Sequence, residues 1–319
     1  MPNATAGVAR RGDASTRTVW IALLVNAVVT VAKGVGGALS GSSALLSEAA
    51  HSVADTMNEI FLLVALKRSA RPADRQHPFG YGQERFVWSL IAAVGIFVAG
   101  AMFSFFEGYQ TLRGPAEGET GFLIPYVVLG IAFIAEGVSL LRAVRQVRRE
   151  ARKKGRGFIE HVRTSDDPTV KTVASEDSAA LVGIAIATLG IVLAQLTGKT
   201  LFQGIASLLI GALLVVVAYA LGRDSIGLLT GEAADPALRK QVYEELRSYP
   251  EVDKVIELLT MRIGTGRLLV AARIDFGQQL ASDEVEQVST RIDDGLHARF
   301  PAVDQLFLDA TARADRHTG

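Results

Sequence analysis

Residues 47–59 read SEAAHSVADTMNE and lie inside an apolar block running from about 44 to 66. Glu48, His51, Asp55 and Asn58 recur at intervals of three and four, which puts them on one face of a helix. The rest of the block is long and apolar enough for a membrane span. A charged side chain in the bilayer interior costs a few kcal/mol on insertion scales, so a polar stripe there marks a functional site by default.

Outward from this helix, the apolar residues stay bunched. The 319 residues are 49% hydrophobic, and six blocks reach span length: 18–39, 44–66, 86–112, 121–142, 172–197 and 199–222. The fifth is expected to start in the cytosol at SDDPTV, with Ser165 or Asp166 as cap and Pro168 in the first turn, which carries Glu176 and Asp177 two to three turns up. Thirty-three basic and 33 acidic residues cancel, leaving no global field to attract nucleic acid. The absence of cysteine excludes disulfides, thiolate metal sites and cysteine nucleophiles.

Lys67, Arg68, Arg71, Arg75 and Arg85 follow the second block, and RAVRQVRREARKKGRG follows the fourth; the other turns carry little beyond Arg113 and Lys199. Positive-inside logic places both basic loops and both termini in the cytoplasm. Residues 1–17 then form a cytoplasmic tail, with organelle targeting as the alternative reading of this Arg- and Ser-containing start. Residues 18–230 form a six-helix transmembrane domain. From 231 to 319 the composition becomes that of a soluble domain: helix 235–248, strands 253–261 and 266–275, helix 282–298 and strand 303–309. The fold class expected is an α-helical membrane protein of six transmembrane helices followed by a small cytoplasmic α+β ferredoxin-like domain.

One imidazole with two or three carboxylates, on helices able to face each other, suits a hard-to-borderline divalent cation, Zn²⁺ first. His51 and Asp55, one turn apart, are candidate ligands, with Glu176 and Asp177 opposite. Glu48 and Glu136 are candidate proton sites or outer-shell partners. Asn26, Ser52 and Asn58 read as polar glue between helices, and Lys33 as a residue snorkelling to the outer interface. His161, His297 and His317 read as solvated, and the basic run 142–156 as lying beside anionic headgroups.

The chain resembles the cation diffusion facilitators, through NAVVTVAKGVGGALSGSSALLSEAAHSVAD (26–55), HPFGYGQERF (77–86) and the six-span-plus-tail layout. SEAAHSVADT, HPFGYG, AEGVSLLRAV, RDSIGLL and especially ASEDSAALVG are similar to its zinc transporter nine branch. The resemblance implies export of Zn²⁺ (Mn²⁺, Fe²⁺ or Co²⁺ also possible) in exchange for protons, no permanently bound cofactor, a homodimer and no enzymatic activity. It also makes Asp177, six residues before Gly183, the helix-five ligand, with Val173 where many members carry a second and Glu176 as the nearby substitute. Some members bind metal in the loop after span two; Asp74 and His77 match two of those ligands and Tyr81 replaces the third, so a weak loop site or a loop-ordering role is implied. Tail positions where some members cluster histidines fall near Ile256, Ala272 and Leu308, and no metal cluster is expected there. The expected location is a bacterial plasma membrane. Two rival functions are a non-transporting membrane metal sensor or scaffold acting on partners through the tail, and an intramembrane metal-dependent hydrolase, for which no HExxH or similar signature is present.

Overall fold

The structure is a computed structural model describing residues 23–24, 26–114, 121–153, 168–277 and 280–310. The expected tail 1–17, the start of the first span, and the caps Ser165 and Asp166 lie outside these residues. Two compact units emerge: 1–66 with 87–225, and 67–86 with 226–319.

In the first unit, α1 covers 26–40 and α2 Ser43–Ser69. Helix α3 spans Glu84–Arg113 and widens to π geometry over Ile96–Met102. Then come α4 (Leu123–Lys153), α5 (Pro168–Thr197) and α6 (Leu201–Leu229). Helix α5 opens on Pro168, whose fixed φ and missing N–H suit a first turn. Among the described residues, four helices are long and apolar enough to cross a membrane: Glu84–Arg113, Leu123–Arg149, Glu176–Thr197 and Leu201–Leu229. They match the third to sixth expected blocks. Helix α2 is long enough too, but its Glu48, His51, Asp55 and Glu59 lower its apolarity.

Small residues let these helices approach closely. On α6 the buried face runs Gly204, Ser207, Gly211, Ala218, Gly222 and Ser225, while Leu209, Val216, Tyr219 and Ile226 point outward. Ala44, Leu45, Ala54, Ile96, Ala101, Ile184, Ala187, Ile210 and Leu214 join α2, α3, α5 and α6 in one core cluster. At the start of α2, the Ser42 hydroxyl donates to Gln203 Oε1 of α6 at 2.8 Å.

The second unit holds α7 (Pro236–Leu246), β1 (Val252–Gly264), β2 (Arg267–Phe276), α8 (Ser282–Arg299) and β3 (Val303–Asp309). This is the expected α-β-β-α-β order, with each boundary within three residues of its expectation. Asp235 caps α7 by accepting from the Ala237 amide at 2.8 Å, with Pro236 next in the chain. The sheet order is β1-β2-β3, antiparallel between β1 and β2 and parallel between β2 and β3. Alternate β2 residues Val270, Ala272 and Ile274 share one core cluster with Val242 and Leu246 of α7 and with Val288, Ile292 and Leu296 of α8.

The loop following α2 belongs to this second unit. Gly82 lies against the end of β1, where a Cβ would sit 2.5 Å from the Ile263 carbonyl oxygen, so only glycine admits the contact. Phe79 meets Phe307 of β3 edge to face, centroids 6.4 Å apart.

Candidate functional site

The α2 stripe folds inward. Glu48 is 0% and His51 2% exposed, while the Asp55 side chain keeps 17%. The i, i+4 spacing brings His51 Nε2 to 3.5 Å from Asp55 Oδ2, and the i, i+3 spacing brings Nδ1 to 3.9 Å from Glu48 Oε1. The imidazole thus stands between two carboxylates. Helix α5 closes against this pair at Gly183, where a Cβ would lie 2.2 Å from Glu48 Oε1.

The two α5 acids diverge, as adjacent residues about 100° apart on a helix must. Glu176 turns to α2, its oxygens accepting from Asn58 Nδ2 at 2.6 and 2.8 Å. Asp177 turns to α4, where Oδ2 accepts from the Ser139 hydroxyl at 2.9 Å. Glu136 is buried on α4 one turn before Ser139. Among the described residues, no three His, Asp or Glu side chains are gathered closely enough to hold an ion as they stand. The structure therefore joins His51 to Asp55, and brings Glu176 and Asp177 to the neighbouring helices through amide and hydroxyl partners.

Asn26 and Asn58 are interhelical glue: Asn26 donates to Glu59 at 2.7 Å and Asn58 to Glu176. The expectation for Lys33 is overturned. It is 1% exposed, and Nζ donates to Glu48 Oε2 at 3.1 Å and to Ser52 Oγ at 2.7 Å, because a buried carboxylate one helix away stabilises the ammonium better than snorkelling does. The missed signal was the spacing of Asn26, Thr30 and Lys33, a second polar stripe that pairs with the one on α2.

In the loop, Asp74 Oδ1 accepts from the Gln76 and His77 amides at 2.9 and 2.8 Å, and Oδ2 from the Tyr81 hydroxyl at 2.7 Å. The Tyr81 ring stacks on His77, centroids 4.1 Å apart, beneath the Arg71 guanidinium at 4.4 Å. The Tyr81 hydroxyl, then the backbone amides, hold the Asp74 carboxyl below its usual value of 3.8. The loop-ordering contribution of this carboxylate is therefore complete above that value and is lost as pH falls through the lowered one. In Tyr81→Phe the hydrogen–deuterium protection of the Gln76 and His77 amides is expected to fail at a higher pH than in the parent. An identical pH profile for the two proteins would remove Tyr81 from this role.

A family model for the cation efflux transmembrane domain matches residues 19–230. Over 260 residues the chain is 33% identical to the mouse "Proton-coupled zinc antiporter SLC30A9, mitochondrial", covering 82% of this chain and 46% of that one. It is 36% identical over 266 residues to "Metal tolerance protein C4" of Arabidopsis thaliana, covering 83% of this chain and 58% of that one. The magnetosome protein MamM of Magnetospirillum gryphiswaldense is 23% identical over 303 residues, 92% of this chain and 87% of that one. The chain thus spans about half the length of the first two of these relatives.

Proposed function

The chain belongs to the cation efflux family, and from that premise we propose that it is a divalent cation transporter, not an enzyme, exporting Zn²⁺ from the cytoplasm in exchange for protons. The observation carrying this reading is the His51–Asp55 pair, an imidazole nitrogen 3.5 Å from a carboxylate oxygen one turn further along α2. Such a mixed N/O donor pair suits Zn²⁺, and Mn²⁺, Fe²⁺ or Co²⁺ less specifically. Asp177 and Glu176 complete the site by exchanging Ser139 and Asn58 for the ion as α5 moves against α2. Alternating access then needs two states that differ in these hydrogen bonds. Protons compete for the same ligands, since each must be deprotonated to bind metal, and this competition is the basis of exchange. Glu136, on the face of α4 that bears Ser139, is the proposed proton or outer-shell group.

Six spans over 18–230, a tail at 1–17 and a cytoplasmic domain from 231 to 319 complete the architecture, with both termini in the cytoplasm and the protein a homodimer in a bacterial plasma membrane. The basic loops support that orientation. In the loop, Asp74 and His77 act as ordering groups, since both Asp74 oxygens already accept internal hydrogen bonds.

The test is ion flux in sealed vesicles carrying the full chain, with Zn²⁺, Mn²⁺, Fe²⁺ and Co²⁺ compared under an imposed pH gradient. Zn²⁺ uptake driven by the gradient is expected; binding without flux of any ion would support a sensor or scaffold and overturn transport. His51→Asp, which replaces nitrogen by oxygen, is expected to lower the Zn²⁺/Mn²⁺ flux ratio. An unchanged ratio would remove His51 from direct contact with the ion.

A further inference from the structure

Lys33 places a cation in the buried interior beside a site proposed to carry cations. Removing an ammonium from water costs several kcal/mol unless it is paired, and Lys33 is paired twice, to Glu48 Oε2 at 3.1 Å and to Ser52 Oγ at 2.7 Å. Those contacts use one oxygen of Glu48. The other, Oε1, is buried and has no hydrogen-bond partner among the described residues; neither does the buried His51 Nδ1 that faces it at 3.9 Å. A donor-capable ring nitrogen and a carboxylate oxygen therefore face each other, both unsatisfied, about an ångström beyond the usual hydrogen-bond length. Gly183 of α5 covers this gap, leaving no room for a side chain: a Cβ there would be 2.2 Å from Oε1 and 3.4 Å from Nδ1. The opposite edge of the ring, Nε2, points to Asp55.

We propose that Lys33 and Glu48 are positioning residues: Lys33 immobilises the Glu48 carboxylate so that its free oxygen accepts from His51 Nδ1–H and keeps bare Nε2 turned toward the ion beside Asp55. The ion pair also withholds Glu48 from the ion, since one oxygen is held by the ammonium and the other is turned to the imidazole. A carboxylate on the far nitrogen fixes both tautomer and ring orientation and makes the ligand nitrogen more basic; losing such a partner lowers metal affinity 10–100-fold. The inference rests on the reading of His51 as a ligand.

Two charge-matched double variants of the full chain in sealed vesicles test it. Lys33→Met/Glu48→Gln removes both charges but leaves an amide oxygen where Oε1 stood, whereas Lys33→Met/Glu48→Leu leaves no acceptor. The Leu double is expected to show a Zn²⁺ KM about 10–100-fold above that of the Gln double, with a smaller change in maximal flux. Damage to folding would instead reduce the number of active molecules, and hence maximal flux, without moving KM. Equal KM values in the two doubles would overturn the proposal. Should the Leu double not fold, Gly183→Ala decides: its added methyl displaces Oε1 and is expected to raise KM, and a wild-type KM there would overturn the proposal equally. His51→Ala separates the two readings. If it abolishes flux while the doubles coincide, positioning fails and the ligand reading stands; if it leaves flux intact, the ligand reading itself fails.

Discussion

Zn²⁺ flux is expected to fall to background in both His51→Ala and Asp55→Ala, with the helical domain still folded. Each change removes one of about four donors from the ion. His51 is buried, so alanine leaves a cavity, but what it takes from between Glu48 and Asp55 is an imidazole nitrogen donor that no methyl can replace. The loss is therefore one of chemistry more than of packing. Elution as the same monodisperse species as the parent, together with absent flux in reconstituted vesicles, is the expected pair of measurements. Near-parental flux from either variant would sink the proposed site.

The second large effect is expected at the adjacent acids of α5. Asp177→Asn is expected to weaken Zn²⁺ binding by more than the about 100-fold that bounds the loss of an outer-shell partner. Glu176→Gln is expected to weaken it less, because the Glu176 carboxylate is already engaged by Asn58 through both oxygens and reaches the ion only after leaving that amide. Asp177 is held by a single hydroxyl, Ser139, and is freed more easily. Asn58→Ala should then have the opposite sign, strengthening binding by releasing Glu176. Equilibrium binding of Zn²⁺ to the purified full chain distinguishes these outcomes. If Glu176→Gln proves the more damaging change, the carboxylate facing α2 is the principal α5 ligand, and Asp177 serves the α4 side through Ser139.

Helix existence, the polar stripe on α2 and the α-β-β-α-β order of the last unit were legible by inspection because each depends on short-range periodicity. A run such as LLVAL can only be buried or in lipid, Glu48, His51 and Asp55 share a face by spacing alone, and β2 alternates Val270, Ala272 and Ile274 toward its helices. Family membership followed from linear motifs in the same way. What periodicity does not carry is which neighbour a face meets. Lys33 reads as an interfacial lysine because the residues next to it in the chain are small or apolar; only the placement of α1 against α2 shows that Glu48 is its partner. Glu176 and Asp177 are adjacent in the chain, and nothing local says that one is received by Asn58 and the other by Ser139. Gly183 likewise reads as one small residue among many until α5 is seen to pass within contact of Glu48 and His51. The amino-acid sequence by itself determined which residues are polar where polarity is costly, because that is a property of each helix alone. Tertiary structure decided how Lys33, Glu176 and Asp177 are paired, because in a low-dielectric interior a buried charge needs a complementary partner, and the packing of small residues sets which one on another helix comes within reach.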